Sequence, residues 1–141
     1  MRLVDLGDLF NDGKMDVVIS DLDGSPMILR NQGIPGRHWV SFELAGTKSN
    51  RLALNARIKI VAGGMTQTDE IHSGGSYLSQ NDLRLHFGLG SAKTIDSVEI
   101  RWPSGATETL KDLAVDQFYS VLEGQGIVPT ERIRPTPVKR P

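Results

Sequence analysis

The chain has 141 residues, 38% hydrophobic and 23% charged, with 15 glycines and a formal net charge of −1. A chain this long buries roughly two-thirds of its unfolded surface and needs no covalent staple to fold, and a near-neutral charge excludes the basic field of a general nucleic-acid or membrane-surface binder. Cysteine is absent, which removes disulfides, thiol catalysis, thiolate zinc and iron–sulfur centres, and no apolar run reaches the length of a membrane span, so neither nucleic acid nor membrane insertion is expected.

Residues 1–36 form the first unit, an acidic loop between short apolar runs. Asp8-Leu9-Phe10-Asn11-Asp12-Gly13-Lys14-Met15-Asp16 places carboxylates at loop positions one, five and nine. A hard cation such as calcium takes six to eight oxygens, which a short loop supplies by turning alternate side chains and carbonyls inward. Asp8, Asp12 and Asp16 are the candidate side-chain ligands, the carbonyl of Lys14 a further one, and Gly13 permits the bend. Phe10 occupies position three, where an oxygen donor is expected, so calcium, if held, is held weakly to moderately with Asn11 or water filling in. A solvated Asp/Gly turn is the plainer reading of the same residues.

Residues 37–124 read as many short strands, because apolar residues recur with period two. Val40, Phe42 and Leu44 share a face, as do Ile58 and Ile60, then Leu83, Leu85 and Phe87, then Val98, Ile100 and Trp102. Each run is half-buried, as in two sheets packed face to face. Gly63-Gly64 has the spacing of a tight hairpin, and Pro103-Ser104-Gly105 reverses the chain after Trp102. Residues 110–116 hold the one candidate helical turn, and residues 118–122 the last strand. Glu99 and Arg101 point away from the core and are expected to form cross-strand ion pairs. The fold class is all-β: a sandwich of about seven to eight short antiparallel strands, preceded by a blade-like hairpin carrying the acidic loop. Residues 125–141, proline-rich and basic, are expected to be an extended tail.

Two resemblances attach to these residues. Asp8 to Asp16 with the following Val17-Val18-Ile19-Ser20 looks like an FG-GAP/VCBS repeat, the calcium-loop unit of extracellular β-propellers. Leu22-Asp23-Gly24-Ser25 and Met27-Ile28-Leu29-Arg30 would complete the blade. One blade cannot bury its own faces, so it must pack on the next domain, dimerise or remain loosely ordered. Gly46-Thr47-Lys48-Ser49-Asn50-Arg51, Ser73-Gly74-Gly75-Ser76-Tyr77-Leu78-Ser79-Gln80-Asn81, Leu85-His86-Phe87-Gly88-Leu89-Gly90 and Val98-Glu99-Ile100-Arg101-Trp102-Pro103-Ser104-Gly105 together resemble the ASPIC/UnbV domain, which follows such repeats in bacterial exported proteins and in cartilage acidic protein. Asn55 stands where that family usually has glycine, a substitution the backbone tolerates because asparagine accepts positive φ. The resemblance implies an exported chain, extracellular or periplasmic, with a non-catalytic interaction role in adhesion. Because Met1 runs straight into the repeat, the chain is expected to be the C-terminal piece of a longer protein whose remaining propeller blades are partners.

For binding, the polar loop of residues 73–81 is the first candidate surface, with Ser76, Tyr77, Ser79, Gln80 and Asn81 as ligand contacts and Trp39 as a second aromatic. A loop folded on its own hydrogen bonds is an equal reading. An extracellular glycan or protein is the expected ligand, the carbohydrate reading resting on fold analogy. No enzyme signature appears: the serine of Gly-Gly-Ser-Tyr-Leu lacks the glycine of a nucleophile elbow, and Gly46-Thr47-Lys48-Ser49 lacks the upstream half of a phosphate loop. The alternative is a copper- or zinc-dependent enzyme acting on polysaccharide through His38, His72 and His86.

Overall fold

The structure, a computed structural model, describes residues 2–75 and 79–134. Three sheets account for it. Strands β1 (Arg2–Gly7), β2 (Asp16–Asp21) and β3 (Met27–Leu29) make an antiparallel sheet in the order β1-β2-β3. Two four-stranded sheets then form a sandwich. One runs β11 (Gly126–Val128), β10 (Gln117–Leu122), β4 (His38–Ala45), β7 (Leu85–Gly90); the other runs β6 (Met65–Glu70), β5 (Arg57–Ala62), β8 (Thr94–Arg101), β9 (Thr107–Ala114).

The core follows the period-two pattern. Val40, Phe42, Ile58, Ile60, Phe87, Val98, Ile100 and Trp102 all lie in one buried cluster between the two sheets. Phe42 stacks on Tyr119 at 5.7 Å and meets Phe87 edge-on at 6.3 Å. The turns form as their residues dictate. Gly63 and Gly64, with φ of 55° and 76°, join Ala62 to Met65 in a two-residue hairpin that only residues tolerant of positive φ can make. Asn55 adopts φ 69°, the conformation that glycine would otherwise supply.

Four expectations are corrected. The sandwich is not wholly antiparallel, since β10 runs parallel to β4 with Phe42 opposite Tyr119; alternation fixes which face a strand buries but not its neighbour's direction. Residues 110–114 belong to β9 rather than to a helical turn, because pairing with β8 satisfies their backbone, and Asp112 takes φ 54° where the ladder skips a pair. Glu99 and Arg101 form no ion pair among the described residues: the register sets Glu99 against Lys59 and Arg101 against Arg57, and Arg57 turns instead to Glu70 at 2.7 Å. Lastly, residues 125–134 are not a loose tail. β11 pairs with β10, Ile133 is buried against Ala45, Leu122 and Val128, and Arg134 forks onto Glu43. Residues 135–141 lie outside the described residues.

Candidate functional site

Alternation along β4 sends Val40, Phe42 and Leu44 inward and Trp39, Ser41 and Glu43 to the other side. The register adds Phe118 and Ser120 from β10, and Arg84 and His86 from β7 or just before it, to that outer side. This face is not open to solvent, since Ser41 and Ser120 are buried. Part of it is covered by the C-terminal segment, where Ser120 meets Thr130 at 2.9 Å. The acidic loop between β1 and β2 covers another part.

The loop docks through a close backbone approach and a guanidinium. Gly13, at φ 80°, lies so near the indole of Trp39 that a Cβ there would stand 1.8 Å from its Cε2 atom. Trp39 in turn packs on Phe118 at 4.7 Å and stacks with His86 at 5.9 Å. Arg84 donates to the carbonyl of Asp8 (3.0 Å) and the side-chain oxygen of Asn11 (2.7 Å) while pairing with Asp82. Burial acts to raise the pKa of Asp82, but the Arg84 guanidinium beside it outweighs that effect and holds the carboxyl below its ordinary range. Along β1, Asp82 donates its amide to the carbonyl of Leu6, and Leu6 donates its own to Asn81. The blade-like sheet therefore packs on the domain that follows it, one of the three fates open to a lone blade.

Within the loop, Asp8 and Asp16 are buried and Asp12 sits at the rim. Asp8 accepts the amides of Asp12 (3.0 Å) and Gly13 (2.7 Å); Asp16 accepts those of Leu9 (3.2 Å) and Asn31 (2.9 Å). Asp12 accepts the amide of Lys14, and its outer oxygen faces Arg30 at 3.3 Å and the Lys14 amine at 3.7 Å. Phe10 turns outward beneath Arg30, whose guanidinium lies 4.2 Å from the ring centre. Among the described residues, no three carboxylate or imidazole side chains converge as a metal-holding group. The donor set still suits a hard cation in kind: every side-chain donor is a carboxylate oxygen, and each oxygen engaged by one N–H keeps a second lone pair.

The remaining candidates fall elsewhere. Ser76 and Tyr77 lie outside the described residues. Ser79 donates to the carbonyl of Val4, Gln80 accepts the amide of Gly74, and Asn81 holds Leu6. Ser79 and Asn81 fasten this segment to β1, while Gln80 ties it to Gly74. Trp39 is not a free stacking platform but the half-buried floor of the docked loop. The histidines are dispersed in role. His38 pairs with Asp116 at 2.7 Å, His72 is exposed 3.9 Å from Glu70, and His86 lies under Trp39 with its Nδ1 buried and without a partner among the described residues. Burial lowers the pKa of His86 against the opposing charge of Asp8, favouring the neutral ring.

One buried carboxylate escaped the sequence reading altogether. Glu123 receives the amides of Thr47, Lys48 and Ser49 at 2.8, 2.9 and 2.7 Å, and the hydroxyls of Ser49 and Ser104. Residues 46–49, with their faint likeness to a phosphate loop, do form an anion-holding nest, and the anion is the protein's own side chain. Only the acidic identity of Glu123, next to an apolar strand end, marked it in advance.

No curated protein matches this chain. The family described as ASPIC and UnbV matches residues 46–128, more than half of the sequence, beginning just after β4 and ending with β11. On that match, and on the all-β sandwich to which the matched residues contribute every strand but β4, the chain belongs to the ASPIC/UnbV family.

Proposed function

We propose that this chain is a non-catalytic, extracellular binding module, calcium-responsive and directed at a glycan, forming the C-terminal part of a larger exported repeat protein. The observation carrying this reading is the seating of the acidic loop on the outer sandwich face, with Gly13 against Trp39 and Arg84 between Asp8, Asn11 and Asp82. A cation bound by the loop then changes the surface next to it, which is how a structural ion tunes recognition. Asp8 and Asp16 would hold the ion, with Asp12 exchanging Arg30 for it. The ion's contribution is charge compensation and loop rigidity.

The exported-repeat part rests on the first sheet. Its outer strand exposes Met27, Ile28 and Leu29, and its first strand exposes Val4 and Leu6. An apolar, unpaired sheet edge of this kind is normally covered, and preceding blades of an FG-GAP/VCBS array are the covering that fits. A glycan and protein binding screen of the chain, with and without millimolar calcium, tests the reading. Hits that strengthen with calcium are expected; a blank screen in both conditions would refute it.

A further inference from the structure

A cleft of about 510 Å³ opens beside the docked loop, between residues 31–35 and the start of β4. Its lining contains Lys14, Arg37, His38, Trp39 and His86 but no Asp or Glu. In a chain with 17 acidic residues that is selective, and the neighbouring cleft on the same sheet carries Asp8, Glu43 and Asp82. Arg37 is exposed, and its guanidinium has no partner among the described residues. The indole N–H of Trp39 likewise has no acceptor there. Lys14 lies with its stem along Gly33 and only a loose 3.7 Å contact to Asp12.

We infer that this cleft binds an acidic saccharide, a uronate-type sugar whose carboxylate is held by Arg37 and Lys14. The inference rests on the binding-module reading and names its ligand class. Arg37, with no carboxylate partner among the described residues, stands beside Lys14, held only by Asp12 at 3.7 Å, and the pair favours an anion. The volume, within the range of small-organic-ligand pockets, exceeds what a bare inorganic ion needs. The hydroxyls of a sugar require donors and acceptors together, and the side chains of Asn31 and Gln32 with the indole N–H supply both. The cleft is tied to the acidic loop, because Asp16 fixes the Asn31 amide and Asp12 competes for Lys14. Calcium taken up at Asp12 therefore frees Lys14 and tightens the saccharide.

The test is a tryptophan-fluorescence titration of the whole chain with an oligogalacturonate, a neutral oligosaccharide of equal length, and sodium sulfate, each with and without calcium. Trp102 is buried in the core, so a saturable change reports Trp39. The oligogalacturonate is expected to bind at least tenfold more tightly than the neutral sugar and sulfate, and more tightly with calcium. Arg37→Ala should weaken it about tenfold with an unchanged melting temperature, since the Arg37 side chain makes no hydrogen bond or ion pair among the described residues. Equal binding of neutral and acidic sugars, equal competition by sulfate alone, or an Arg37→Ala variant that binds normally would each overturn the assignment. If oligogalacturonate gives no response while the calcium screen returns another ligand, the cleft assignment fails and the module reading stands; a blank in both defeats both.

Discussion

A carboxylate withdrawn from water stays charged only if hydrogen bonds replace its hydration, and Glu123 meets that condition with three amides and two hydroxyls. Burial alone would raise its pKa; the bonds from Ser104, Ser49 and Thr47 outweigh it and bring the value down to about 2. Glu123→Ala strands those donors and should cost on the order of 3 kcal/mol of stability, read as a shift in the urea midpoint at pH 7. An unchanged midpoint would show that water replaces the carboxylate freely. Trp102 is the opposite case, a large apolar side chain 1% exposed, with an indole N–H that finds no acceptor among the described residues. Trp102→Ala should cost roughly 3–5 kcal/mol. Trp102→Phe should cost much less, because it removes an unsatisfied donor along with the lost contacts. Equal losses in the two variants would mean that the N–H is satisfied.

At the scale of elements, the acidic loop is held by its own amides and by two protein cations before any ion is considered. Arg30 occupies the outer oxygen of Asp12, braced over the Phe10 ring. The guanidinium draws the Asp12 carboxyl below its usual range in spite of desolvation, and the Lys14 amine adds to that pull. A calcium ion must therefore displace Arg30. Calorimetry should show weak calcium binding that disappears in Asp12→Ala and strengthens several-fold in Arg30→Ala. Loss of binding in Arg30→Ala would mean that the arginine supports the loop rather than competes for it. Gly13 gives a structural counterpart. Gly13→Ala places a Cβ inside the Trp39 ring at a φ that alanine resists, so it should lower the melting temperature and undock the loop, seen as a red shift of Trp39 emission. An unshifted spectrum would contradict the seating described.

For the whole molecule, half-buried His86 and buried Glu123 both make acid destabilising, and Asp12, Glu70 and Asp82, also held below their ordinary values, act in the same direction. The folded pKa of His86 is depressed below 6.5, so the unfolded chain binds that proton more readily and stability falls as pH drops below about 6.5. Glu123 has a folded value near 2 against 4.5, so its contribution is complete above pH 4.5 and is lost as pH falls toward 2. Melting temperature plotted against pH should decline in these two windows, and His86→Gln should flatten the upper one. An identical upper slope in that variant would assign the effect to another group.

Local chemistry was enough to read much of this protein from its sequence. Alternating apolar residues named the buried faces of β4, β5, β7 and β8 and put Trp102 in the core, because side-chain direction in a strand depends only on parity. Gly63-Gly64 and Asn55 announced their turns, because positive φ is a property of single residues. Direction and partnership were decided by the tertiary structure. Nothing in the residues of β10 says that it lies parallel to β4, that residues 126–134 return to cover the sheet, or that residues 47–49 close around Glu123 some 75 positions away. Trp39 shows the limit most directly. Its place at the start of a strand made it exposed by parity, and only the docking of Gly13, brought across by the first sheet, turned an outward aromatic into a half-buried floor.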